Sequence, residues 1–144
     1  MTLVELLVVL GIIGLILGIS VPGMTTYANQ VRLKAATREV VGLLSLARSL
    51  AISSHQDHAV LIDPERREIT VENTVSGEAL ERVVRLPISM SIEVQVAGEP
   101  AQETRVVFRP TGSLAGRTTS IILADRHVSH AVTISSITGA VRVD

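Results

Sequence analysis

An α+β fold, with one long N-terminal helix packed on antiparallel β-sheets, is what the amino-acid sequence predicts, and three observations carry that prediction. No charged side chain stands between Glu5 and Arg32, which leaves 26 uncharged residues, Leu6 to Val31, near the N-terminus. From Leu33 to Ala51 the apolar residues recur at spacings of three and four, the period of one helix face. From His58 onward the period falls to two, as in strands that bury one face.

The uncharged run comes first. As a helix it rises about 39 Å, and its more apolar part, Leu6 to Val21, covers most of a hydrocarbon core about 30 Å thick. A purely cytosolic enzyme does not fit. Without this arm about 113 residues remain, enough for one small domain and too few for two. The expected division is an apolar half-helix over residues 1–24 and a head over 25–144. The head would hold an amphipathic helix to about residue 54 and a sheet region over 58–144. A cleaved signal peptide needs basic residues ahead of its apolar stretch and a small-residue cleavage site after it. Here the flank is acidic, at Glu5, and nothing like Ala-x-Ala follows.

At Ser20, Pro22 and Gly23 the pattern is interrupted. Proline removes one helix hydrogen bond and presses its ring on the preceding turn, so a kink or local melting is expected at Pro22. Helical spacing then resumes. Leu33, Ala36, Val40, Leu43, Leu44, Ala47, Leu50 and Ala51 form one stripe, while Arg32, Lys34, Arg38, Glu39 and Arg48 occupy other faces. Thr2 to about Ser53 therefore reads as one helix, apolar all round in its first half and one-sided in its second.

Among the strands, Ile88, Met90, Ile92, Val94 and Val96 alternate with Ser89, Ser91, Glu93 and Gln95, and Val132 and Ile134 alternate with Thr133 and Ser135. Further short strands are expected at 58–62, 67–72, 82–86, 104–108, 120–124 and 140–143. Turn formers separate them: Asp63-Pro64, Ser76-Gly77, Gly98-Glu99-Pro100, Pro110-Thr111-Gly112, Asp125-Arg126 and Thr138-Gly139,. Connections this short make the sheets antiparallel.

Composition narrows the chemistry. There is no Cys, which removes disulfides, thiolate metal sites and Cys nucleophiles together,. Tyr27 and Phe108 are the only aromatic residues, too few for base-stacking platforms or aromatic sugar clefts. The core must rest on Val, Ile and Leu. Charge is segregated: residues 57–103 hold ten carboxylates against four arginines, and 104–144 hold five arginines against two carboxylates. This reads as a solvated surface whose opposite patches help subunits meet, with a polyanion-binding strip in the last third as the competing reading.

Glu5 is the sharpest feature. A carboxylate beside an apolar span is costly unless it stays at the interface, is protonated or finds a cation. Its partner must be a lipid headgroup, another protein or the N-terminal amine of a similar helix. The plainer account is that it sits where the helix dipole favours negative charge.

The run Thr2-Leu3-Val4-Glu5-Leu6-Leu7-Val8-Val9-Leu10-Gly11-Ile12-Ile13 resembles the start of a mature type IV pilin or type II secretion pseudopilin. The resemblance implies a pilin-like fold, a cut by a prepilin peptidase just before residue 1, and N-methylation of Met1. It also implies that Glu5 is the assembly carboxylate, pairing with a neighbour's N-terminal amine in the filament. Met1 stands where the family usually has Phe, so the chain reads either as the mature form or as starting at a misplaced Met. Further on, Phe108-Arg109-Pro110-Thr111-Gly112-Ser113, the strand 120–124 and the closing hairpin around Ala131–Ser135 and Gly139–Val143 resemble the C-terminal half of the GspH/FimT group of minor pilins. Pro110 to Ser113 is equally an ordinary turn in which Gly112 supplies positive φ.

Within that group the H-type pseudopilin is a minor, near-tip component of the type II secretion pseudopilus. FimT-like minor pilins are associated with DNA uptake through a basic Gly-Arg-x-Arg. This chain has Gly139-Ala140-Val141-Arg142, one arginine of the two, so Arg109 and Arg142 are the candidate DNA contacts. The resemblance implies a single-pass inner-membrane subunit with its head in the periplasm before it joins a pseudopilus or pilus. Its partners are other pilin or pseudopilin subunits, the prepilin peptidase and the membrane, and in the FimT-like alternative DNA. A subunit of another type IV filament is the remaining alternative.

Catalysis and metal binding are disfavoured. His55-x-x-His58 and His127-x-x-His130 have a spacing that puts two ligands on one face of a helix but on opposite faces of a strand. The first pair lies at the helix end and the second straddles a turn. Ser53, His55 and Asp57 are too close in sequence to form a triad, and there is neither Gly-x-Ser-x-Gly nor a phosphate loop,. No catalytic residue, metal ligand or cofactor is expected. Gly11, Gly14 and Gly18, at spacings of three and four, suit close helix approach and suit membrane-helix flexibility equally well.

Overall fold

Helix α1 (Leu3–Ser54) is followed by nine strands: β1 (His58–Asp63), β2 (Glu68–Asn73), β3 (Ala79–Arg85), β4 (Met90–Val96), β5 (Glu99–Pro100), β6 (Arg105–Phe108), β7 (Thr119–Asp125), β8 (Val128–Ile134) and β9 (Val141–Val143). The computed structural model describes the backbone of residues 2–101, 104–125 and 128–144, and their side chains apart from those of residues 19–26 and 80–81. The chain divides into two units, Met1–Arg32 and Leu33–Asp144, and α1 contributes to both.

In the first unit the helix is apolar on every face from Leu6 to Leu17. Leu3, Val4, Leu6 to Leu10, Ile12, Ile13 and Leu15 to Leu17 are all 47% to 77% exposed. Among the described residues, no helix is long and apolar enough to cross a membrane. The helix runs through position 22; the kink expected at Pro22 falls among side chains that lie outside the described residues.

In the second unit the amphipathic stripe does what its spacing requires. Leu33, Ala36, Val40, Leu43, Leu44, Ala47 and Ala51 are buried, while Lys34, Arg38 and Glu39 face solvent. Full burial of a Leu or Val side chain contributes about 1.5–3 kcal/mol, so this stripe fixes the helix on the sheets. Thr37, buried within it, donates its hydroxyl to the Leu33 carbonyl oxygen at 2.8 Å, which satisfies the one polar group on that face,. A residue with positive φ, His55 at 56°, ends the helix, the left-handed stop that frees the chain to turn into β1.

The strands form two antiparallel sheets, ordered β3-β2-β1-β6 and β5-β4-β7-β8-β9. Alternation places Met90, Ile92 and Val94 of β4, Ile121 and Leu123 of β7, and Val132 and Ile134 of β8 in one core with Val60, Ile62, Ile69, Val71 and the helix stripe. The bulk of this core is Val, Ile and Leu, and Phe108 is the largest fully buried side chain in it. The sheets are joined by main chain: the Leu114 N–H donates to Ser136 O at 3.1 Å, and the Ala115 N–H donates to Val107 O at 2.8 Å.

Three expected details differ. Ile88 is not the first inward residue of its strand: it is 85% exposed, because Pro87 accepts the Met90 N–H at 3.0 Å and a turn occupies 87–90. Gly98-Glu99-Pro100 is more than a separator. Ala97 and Gly98, with φ of 55° and 86°, make the tight turn, and Glu99–Pro100 pairs back on Gln95 and Val96, which proline permits only at a sheet edge. The strand expected from residue 67 starts one residue later, since Arg67 has φ of 56°.

Candidate functional site

At the N-terminus Thr2 and Glu5 cap the helix reciprocally. The Glu5 N–H donates to the Thr2 hydroxyl at 3.3 Å and the Thr2 N–H donates to the Glu5 carboxylate at 3.3 Å. This is the capping box, which satisfies two otherwise orphaned donors. Glu5 stays exposed, so its charge is set at the positive end of the helix dipole and remains accessible. Thr2 was not singled out in the sequence, although Thr-x-x-Glu before an apolar run is a signal for it. Met1 lies outside the described residues. An added Cβ at Gly11, Gly14 or Gly18 would meet nothing within 4 Å.

The second feature is a junction of three segments in the head. Gly112, with φ of 79°, turns the chain after β6, and Gly139, with φ of 63°, turns it between β8 and β9. Arg48 of α1 donates its Nε–H to the Gly112 carbonyl oxygen at 3.0 Å. A Cβ at Gly139 would overlap that same carbonyl, and one at Gly112 would lie 2.9 Å from Ile52 Cδ1. Both glycines are therefore required by backbone angle and by approach. The Pro110 to Ser113 turn expected from the sequence is present, with the Gly112 N–H donating to Arg109 O at 2.8 Å. Its contact with the second turn was not visible in the sequence.

Arg109 and Arg142 are both exposed, and among the described residues neither forms an ion pair. Arg109 opens the turn of Gly112, which touches the turn of Gly139, while Arg142 lies on β9, three residues past that glycine. Arg105 is committed elsewhere, 2.8 Å from Glu72. The histidines are dispersed. His58 is buried with its Nδ1 3.1 Å from Gln56 O, His55 is exposed at the helix stop, and His127 lies outside the described residues. Among the described residues no group of three or more His, Asp or Glu is placed to hold a metal ion. The Ser53 hydroxyl donates back to the Leu50 carbonyl oxygen at 3.3 Å.

An exposed all-apolar half-helix with a capped glutamate at its start, continuing as an amphipathic helix on antiparallel sheets, defines the pilin-like class of α+β subunits. Consistent with that class, the family described as Type II transport protein GspH matches residues 36–139. The chain belongs to this family, one of structural pilin and pseudopilin subunits. Its fold is shared with the type IV minor pilin FimU of Pseudomonas aeruginosa, at 16% identity and a TM-score of 0.66 over 82% of this chain and 92% of that one. It is shared equally with the minor pseudopilin EpsH of the Vibrio cholerae type II secretion system, at 16% identity and a TM-score of 0.65 over 78% of this chain and 94% of that one. No curated protein sequence matches the chain.

Proposed function

We propose that this chain is a minor, near-tip pseudopilin of H type in a type II secretion pseudopilus, and that its role is structural rather than enzymatic. The observation that carries this reading is the ring of apolar side chains from Leu3 to Leu17, exposed on every face of the helix. So much apolar surface needs a cover, and lipid and neighbouring helices are equivalent covers. In this reading a prepilin peptidase cuts before residue 1, Met1 is methylated, and the half-helix 1–24 holds the subunit in the inner membrane with the head, 25–144, in the periplasm. Transfer to the filament core then exchanges one apolar surrounding for another. Glu5 has no second charge on its own span, and a neighbour's N-terminal amine neutralises it as the helix enters the bundle.

The alternative is a FimT-like minor pilin that binds DNA for uptake, supported by Arg109 and Arg142, which are exposed and, among the described residues, without an ion pair. The two are separated by deleting the gene and restoring it in the host. A secretion subunit restores export of the secreted proteins and leaves transformation unchanged. Restored transformation with unchanged export overturns the secretion reading in favour of the alternative, and restoration that survives Arg109→Ala with Arg142→Ala removes the DNA contacts from it.

A further inference from the structure

The outer edge of β9 is open. Ala131 and Asp144 exchange both main-chain hydrogen bonds, at 3.1 and 2.9 Å, and the Ser135 N–H donates to Ala140 O at 3.0 Å. With the register Val132 to Val143, Thr133 to Arg142 and Ile134 to Val141, antiparallel alternation turns the N–H and C=O groups of Arg142 toward β8. Those of Val141 and Val143 point the other way, and β9 is the last strand of its sheet. Among the described residues they have no partner, and an edge with unpaired main-chain groups is a template for another strand.

Beside this edge lie two recesses against α1, of about 310 Å³ and about 370 Å³. Val41 is common to both; Val143 lines the first and Val141 and Ile52 the second. The rim of the first is basic, with Lys34, Arg38 and His130, and Arg48 lines the second. No described carboxylate lines either recess. Lys34 and Arg38 are exposed and, among the described residues, without an ion pair.

We infer that β9 is a strand-addition site that takes an extended segment of a partner protein whose helix-facing side chains, every second one, include both apolar residues and carboxylates. Main-chain pairing to Val141 and Val143 supplies adhesion; of the side chains that face α1, every second one along the strand, the apolar ones enter the recesses and the carboxylates meet Lys34 and Arg38, which select acidic over basic segments. This goes beyond the filament reading and does not involve Glu5. A Glu5→Ala chain that fails to enter filaments still binds at β9.

The probe is an acetylated, amidated heptapeptide with Val and Glu taking turns at its odd positions and Thr at its even ones, titrated into the full chain in detergent micelles while amide hydrogen exchange is followed residue by residue. Binding slows exchange at Val141 and Val143 at least tenfold and leaves Arg142, already bonded to Thr133, unchanged. The corresponding Val and Lys peptide does not bind. Lys34→Glu with Arg38→Glu, both on the solvent face of the helix, reverses the preference, and Val143→Pro, which deletes an outward N–H without touching the ladder to β8, abolishes binding. The inference fails if both peptides bind alike, or if binding occurs without protection of those two amides. Protection that appears without peptide and grows with protein concentration also overturns it, because the occupant is then a second copy of this chain.

Discussion

The carbonyl oxygen of Gly112 occupies the space in which any other residue at position 139 would carry its Cβ. One main-chain atom therefore joins the turn after β6 to the turn before β9, while Arg48 ties it to the helix at 3.0 Å. Gly139→Ala adds a methyl group against backbone that cannot swing aside, at φ of 63°. The strained angle and the overlap together cost about 3 kcal/mol. Urea unfolding should show the midpoint falling with an unchanged slope. Gly112→Ala should cost less, about 1–2 kcal/mol, because its Cβ meets the flexible end of Ile52, at 2.9 Å.

Arg48→Ala removes the donor and leaves the Gly112 carbonyl half-enclosed without it. A hydrogen bond from a charged donor contributes about 1.5–3 kcal/mol, so the variant should unfold earlier by that amount. Arg48→Lys should recover part of the loss, since an ammonium reaches as a point charge but lacks the planar Nε–H. Equal unfolding midpoints for wild type and Arg48→Ala would show that the helix end is held without this bond.

The cap that Glu5 makes with Thr2 and the assembly role proposed for it can be separated by substitution. Gln at the same place keeps the capping geometry with Thr2 but carries no charge. Glu5→Gln should leave the helix start intact and reduce incorporation into sheared filaments by about tenfold or more, the equivalent of losing an ion pair of about 1.4 kcal/mol or stronger. Thr2→Ala should do the reverse, fraying the first turn at a cost of about 1 kcal/mol while still assembling. Wild-type levels of Glu5→Gln in filaments would confine Glu5 to the cap.

Much of this was legible in the sequence because it depends on local periodicity. The stripe from Leu33 to Ala51 and the alternation in β4, β7 and β8 each follow from one repeat distance and one buried face. Ile88 was misplaced because alternation alone continues through it, whereas the Pro87 turn stops the strand. Strand β5 was missed because Pro100 reads as a breaker unless the strand is known to be an edge. The Arg48, Gly112 and Gly139 junction was invisible for a different reason: it joins residues 64 and 27 positions apart, and no local pattern encodes which turns touch. Of the candidate site residues, Glu5 could be picked out because a lone charge in an apolar run breaks the pattern. Its partner Thr2 signals only through a three-residue spacing common to many helix starts.

Asp125 closes β7 on the buried face, 4% exposed, and neither carboxylate oxygen has a hydrogen-bond partner among the described residues. It stands in register between Met90 of β4 and Val128 of β8, and an unsatisfied buried polar group costs about 1–3 kcal/mol. Replacing it by an apolar residue of similar size removes that cost without opening a cavity. Asp125→Val should therefore raise the thermal midpoint of the head, and Asp125→Asn, which keeps polar atoms without the charge, should fall between the two. Calorimetry on the full chain in detergent distinguishes the outcomes: a midpoint lowered by Asp125→Val would mean that the carboxylate is satisfied within the folded head and that its burial is stabilising.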